Sequence, residues 1–192
     1  MTGRARRVGP AERRERRATV EDPVVVLEAA ASFLTVRPRS VEEVRRRLRH
    51  LGYRHDLVNG VVARLVELGY LDDEAFARAW VESRDRARPR GAGALRRELS
   101  LKGVERSVVD AVLDERDHAA GEPRGGADDE TATPDEGAAD RLLTRKASVL
   151  GRETDPRKRR QKAYALLARN GFSPDVISAA LSREAVGDGV DD

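Results

Sequence analysis

The feature that most constrains the fold is an internal repeat anchored on three glycines. Three segments align on them without a gap: VRRRLRHLGYRHDLVNGVV from Val44, LRRELSLKGVERSVVDAVL from Leu95 and AYALLARNGFSPDVISAAL from Ala163. Gly103 follows Gly52 by 51 residues, and Gly171 follows Gly103 by 68. A leucine stands four residues before each glycine (Leu48, Leu99, Leu167), an apolar residue directly after it, and another five further on. The apolar pairs are Tyr53 with Val58, Val104 with Val109, and Phe172 with Ile177. Such a pair forms the hydrophobic staple of a helix that starts just after a glycine-terminated one. One helix-turn-helix geometry is therefore used three times. A period near fifty points to an array whose units lend one another surface.

A further apolar-periodic helix precedes each pair and completes a three-helix unit. In the first unit a helix over 24–36 carries Leu27, Ala30, Ala31 and Leu34 on one face. Ser40 and Glu43 form a capping box that opens a helix with Val41, Val44, Leu48 and Leu51 inward. The third helix, over 55–68, presents Val58, Val61, Val62 and Leu65 across an Asn59-Gly60 turn signal. The second unit reads as helices over 73–86, 92–102 and 105–116. Asp72 and Asp73 stand where they cap the first of these, and Phe76 and Trp80 are expected to pack the unit against its neighbour. The third unit reads as helices over 138–151, 156–169 and 174–183, with Tyr164, Leu166 and Leu167 inward in the middle one. Asp155-Pro156 and Ser173-Pro174 are its start signals.

The expected organisation is all-α: three tandem three-helix, helix-turn-helix-like repeats, nine helices in all. Residues 1–22 read as a disordered basic arm, 23–70 as the first repeat and 71–117 as the second. Residues 118–137 read as an acidic flexible linker, 138–184 as the third repeat and 185–192 as an acidic tail.

Composition narrows the function classes. Aromatic content of 4% against 37% charged residues favours thin helical layers over a thick core. With no cysteine, disulfide frameworks and thiolate metal sites are excluded. No apolar run is long enough for a membrane span or a secretory signal, so the expectation is a cytoplasmic protein. The net charge of +3 is unevenly spread. Residues 1–20 carry a net +5, 118–140 a net −6 and 141–162 a net +7. That segregation suits contact with a polyanion or an acidic protein, and it equally suits solvated faces in an arginine-rich chain.

Catalytic chemistry finds no footing. Asp72-Asp73-Glu74 could be drawn as a metal cluster, but successive helical side chains diverge by about 100° and helix capping accounts for them better. His50, His55 and His118 lack metal spacing. Ser83, Ser100 and Ser148 lack a triad context, and Gly91-Ala92-Gly93 has no strand or lysine to make it a phosphate loop. The expectation is a non-enzyme without cofactor or metal. Basic helices in helix-turn-helix units leave open a stand-alone DNA-binding protein. Scarce aromatics, expected inside, speak against single-strand stacking.

From Leu48 to Arg84 the chain follows the pattern LxxLGYxxDLVxxVVxRLxELGYLDDExFAxxWVxSR with small departures. With Pro89-Arg90-Gly91 and LRRELSLKGV after it, this stretch resembles the RecX family of bacterial recombinase regulators. The resemblance spans roughly 25–116, and more weakly 138–183 through RNGFSPDVISAAL. It implies an elongated, curved array that binds along the groove of the RecA–DNA filament and bridges protomers. It also implies inhibition of RecA ATPase, strand exchange and co-protease activity, in the setting of homologous recombination, DNA repair and the SOS response. The partner would be RecA on DNA, possible direct DNA contact would run through basic helix faces, and the protein would be monomeric. The basic arm and the acidic insert depart from the family pattern, and the insert leaves open how firmly the third repeat packs on the second. Candidate contacts, chosen for charge and expected exposure, are Arg45, Arg46, Arg49, Arg84, Arg86, Arg88, Arg96 and Arg97.

Overall fold

A computed structural model describes residues 9–120 and 133–187; side chains are described through 118 and over 133–183. The described residues form ten α-helices and no strand. They divide into two compact units, Met1–Phe76 with Lys102–Val104, and Ala77–Leu101 with Glu105–Asp192.

The first unit opens with a helix that the sequence pattern does not announce. α1 (Pro10–Ala18) lies inside the stretch expected to be disordered. Proline at the first helical position and an Arg16–Glu12 pair at 2.7 Å favour the helix locally. It buries no residue of its own. What seats it is the turn at Gly52: Arg17 Nη1 donates to Leu51 O at 3.5 Å, and its guanidinium lies 5.9 Å from the Tyr53 ring centroid. A Cβ on Gly52 would stand 2.8 Å from Arg14 O. Residues 1–8 of the expected arm lie outside the described residues.

The three helices of the first repeat follow as α2 (Pro23–Leu34), α3 (Val41–Leu51) and α4 (His55–Glu67). Their core is Val26, Ala30, Val44, Leu48, Tyr53, Val58, Val61, Val62, Leu65 and Leu71. The α2 face is turned by one residue from the expected one. Val26 and Ala30 are buried at i, i+4, while Leu27 is half-buried and Ala31 exposed. In α4 all four expected residues are buried and the helix runs unbroken through Asn59-Gly60. The capping box at α3 is complete, with Ser40 Oγ accepting from Glu43 N at 3.1 Å and Ser40 N donating to Glu43.

α5 (Asp73–Ala87) begins in the first unit and continues into the second, which holds α6 (Ala92–Leu101), α7 (Arg106–Ala120), α8 (Pro134–Leu150), α9 (Pro156–Arg169) and α10 (Pro174–Gly187). Both ends of the expected insert are helical: α7 runs on to Ala120, and α8 starts at Pro134 behind a Thr133 cap. Residues 121–132 lie outside the described residues, as do 188–192 of the expected tail, whose first residues belong to α10. Leu142, Leu143, Leu150, Ala163, Leu167, Phe172, Ile177 and Leu181 build the core of the third repeat.

The aligned glycines share one role. Gly52, Gly103 and Gly171 all have positive φ, at 104°, 81° and 84°. The carbonyl of the residue before each receives a donor from another element. Leu51 O takes Arg17 from α1, Lys102 O takes Ser40 Oγ at 2.6 Å, and Asn170 O takes Gly91 N at 3.0 Å. Ser40 and Gly91 occupy equivalent places, just before the second helix of a repeat. α1 thus holds at Gly52 the position that a preceding helix start holds at the other two turns.

Candidate functional site

The residues singled out from the sequence separate into engaged and available cations. In the first unit Arg45 pairs with Glu42 at 2.7 Å, and Arg46 with the same carboxylate at 3.4 Å. Arg49 is half-buried, its Nε enclosed without a hydrogen-bond partner. Of the acidic trio, Asp72 caps α5, accepting from Glu74 N at 2.8 Å and Ala75 N at 3.0 Å. Asp73, expected to share that duty, instead turns back to accept from Val41 N at 2.9 Å and so caps α3. Burial pushes its carboxyl above the ordinary aspartate range, against the Val41 hydrogen bond. The carboxylates thus serve different helices instead of meeting at one ion. Phe76 is buried.

In the second unit Trp80 is half-buried and belongs to a polar cluster around Glu98. Its indole N–H donates to Glu98 Oε2 at 2.8 Å, Arg84 Nε donates to the same oxygen at 2.6 Å, and the Arg84 guanidinium lies 4.4 Å from the indole centroid. Trp80 is thus a platform that holds Arg84 against Glu98 of α6 within its own repeat. Arg96 is taken by Asp110 at 2.9 Å. Arg86 is exposed and loosely paired with Glu82 at 3.6 Å. Arg88 and Arg97 are exposed and carry no ion pair among the described residues.

The acidic stretch that left the packing of the third repeat open contributes a structural residue. Arg116, 8% exposed, is clamped between Asp85 at 2.9 Å and Asp135 at 2.7 Å. Burial lowers its proton affinity, and the two carboxylates more than offset that, leaving it raised. The other Asp135 oxygen accepts from Ala92 N at 2.9 Å. Arg145 donates to Ala87 O and Arg86 O, at 2.7 and 2.9 Å, at the end of α5. Within this unit the third repeat is firmly tied to the second.

Sequence reasoning passed over a further set, although the net +7 of residues 141–162 had signalled it. Arg157, Arg160, Gln161 and Tyr164 on α9, with Ser178 and Leu181 on α10, line a cleft of about 340 Å³. Tyr164, expected inside, is 47% exposed, and Tyr70 is 70% exposed. Neither aromatic is spent on the core.

Fold and surface together define a class: a repeat protein of three-helix modules with charged outer faces. Family models match it module by module: the RecX first three-helix domain over residues 27–65, the second over 72–113 and the third over 135–181. The chain is 32% identical to Regulatory protein RecX of Streptomyces coelicolor over 177 residues, covering 90% of this chain and 86% of that one. It is 34% identical to Regulatory protein RecX of Mycolicibacterium smegmatis over 156 residues, 79% of this chain and 77% of the relative. The crystal structure of RecX from Lactobacillus salivarius shares the fold, with a TM-score of 0.70 at 19% identity over 86% of this chain and 98% of that one. The chain belongs to the RecX family of regulatory proteins. Among the described residues no helix is long and apolar enough to cross a membrane.

Proposed function

We propose that this protein binds the RecA–DNA filament and restrains its ATPase, strand-exchange and co-protease activities, as a cytoplasmic monomer that catalyses no reaction of its own. The observation that carries the reading is the match of all three modules to one regulatory family, in order and in one chain. A repeat array suits a filament physically, because linked modules meet successive protomers and the second contact forms at high effective concentration. Of the eight candidate arginines, Arg88 and Arg97 are the best placed to meet an acidic partner or DNA, since neither is held by a carboxylate among the described residues. Arg86 comes next, exposed and loosely paired with Glu82, while Arg46 would have to leave Glu42. Arg45, Arg84 and Arg96 would have to exchange an internal partner, and Arg49 is half-buried.

A titration into RecA turning over ATP on single-stranded DNA tests the reading. Inhibition at substoichiometric protein, weakened by Arg88→Ala with Arg97→Ala, is the expected result. No inhibition, together with sequence-specific duplex binding, would replace it with a stand-alone DNA-binding protein.

A further inference from the structure

The second helix of the third repeat is longer than its two counterparts. α3 and α6 each begin 11 residues before their repeat glycine, whereas α9 begins 15 before Gly171. The surplus turn is Pro156-Arg157-Lys158-Arg159, and it buries no residue. Cations in a first turn oppose the helix dipole, so this turn costs stability that the fold does not require. What holds it is the cap: Asp155 accepts from Arg157 N at 2.9 Å and Lys158 N at 3.4 Å. Among the described residues some cations of the unit are matched with acids, Arg78 with Glu115 and Arg96 with Asp110, and others, such as Arg88 and Arg97, are not. Arg157 and Lys158 carry no ion pair among the described residues.

Arg157, Arg160, Gln161 and Tyr164 recur at i, i+3, i+4 and i+7, forming one stripe along α9 that faces the α10 residues Ser178 and Leu181 across the cleft. Arg160 spends one N–H on Leu181 O at 3.0 Å, which fixes the guanidinium at the rim and leaves its other donors. The stripe thus presents two guanidinium groups followed by a half-exposed phenol ring. An acidic peptide would meet the arginines and leave the ring unmatched. A duplex keeps its bases stacked and offers the ring no face. A single strand supplies both a phosphate chain and unstacked bases.

We propose that the α9–α10 cleft of the third repeat binds single-stranded nucleic acid, with Arg157 and Arg160 on phosphates and Tyr164 against a base. This reading extends the recombinase proposal and does not depend on it, because binding is measured with no recombinase present. The probe is a fluorescein-labelled 30-nucleotide oligo(dT), titrated with the full chain by anisotropy over a range of salt. Tyr164→Ala weakens binding by about tenfold at unchanged salt slope, and Tyr164→Phe stays within about twofold of the parent. Arg157→Glu weakens binding and lowers the salt slope by about 0.7 or more, while thermal stability holds or rises because an acid suits the helix start. That opposite movement separates a lost contact from a lost fold. Binding that both variants leave unchanged, or that a polyglutamate of equal charge competes away as well as free oligo(dT) does, overturns the site. If the parent chain does not bind the oligonucleotide at all, the site falls while the recombinase reading stands on its own ATPase titration. With a flat ATPase titration beside Tyr164-dependent binding, the site stands and the recombinase reading falls.

Discussion

The turns at Gly103 and Gly171 do the same job with different materials. In the first unit the Gly103 turn is received by side chains: Ser40 Oγ donates to Lys102 O, and Lys102 Nζ reaches Glu43 at 2.9 Å. In the second unit the Gly171 turn is received by backbone: Gly91 N donates to Asn170 O and Gly93 N to Gly171 O. A side-chain seat can adjust its rotamers, but it answers to pH and salt. The backbone hydrogen bonds of the second seat carry no titrating group and tolerate no added atom. A Cβ on Gly171 would lie 2.3 Å from Ala94 N, and one on Gly91 would lie 2.4 Å from Gly171 O. Both neighbours are main chain and cannot swing aside.

The largest expected effect falls on the clamp that backs the second seat. Arg116→Ala leaves Asp85 and Asp135 facing each other without their cation and should cost about 3–5 kcal/mol, read from urea midpoints. Gly171→Ala comes next, at about 3 kcal/mol, because a left-handed φ and a backbone collision act together. If it cost as little as a surface change, the backbone seat would be adjustable after all. Ser40→Ala in the first seat should cost about 1–2 kcal/mol, since it loses both the α3 cap and the buried bond to Lys102 O.

The pH response sharpens the same contrast. Burial pushes the Glu43 carboxyl up, but hydrogen bonds from Arg37 and Lys102 and from Ser40 N outweigh it and hold the carboxyl below its ordinary 4.5. A depressed folded pKa gives stability that is present above the unfolded value and lost as pH falls through the folded one. The parent should therefore lead Glu43→Gln at neutral pH, and the gap in urea midpoints should close below about pH 4.5. A gap that persists at low pH would show that the seat does not rest on the ionised carboxylate. Smallest, and of opposite sign, is Gly60→Ala on the exposed side of α4. No atom lies within 4 Å of the added Cβ, so it should stabilise by about 1 kcal/mol in a thermal melt.

Much of the fold was legible because its signals are short-range. The staples, the Ser40 and Asp155 caps and the α4 core each lie within one or two turns of sequence, and the structure has them. α1 was hidden because it has no apolar face; a carbonyl and a ring some 34 residues away make its place. Asp73 misled for a similar reason, since its recipient, Val41, lies 32 residues earlier. Charge marked arginines without saying which were free. Glu42 beside Arg45 was readable at helical spacing, whereas Glu98 reaches Arg84 only through the packing of α6 on α5. Tyr164 was misassigned because a tyrosine next to two leucines suits a core face, and only the registry of α9 against α10 turns it out.

Asp135 has one more consequence. It lies just beyond the undescribed 121–132 stretch, and through Arg116 it joins the start of α8 to α7. The salt-bridged node therefore couples three helices: a charge change at Asp135 would be felt through Arg116 at Asp85 on α5 as well.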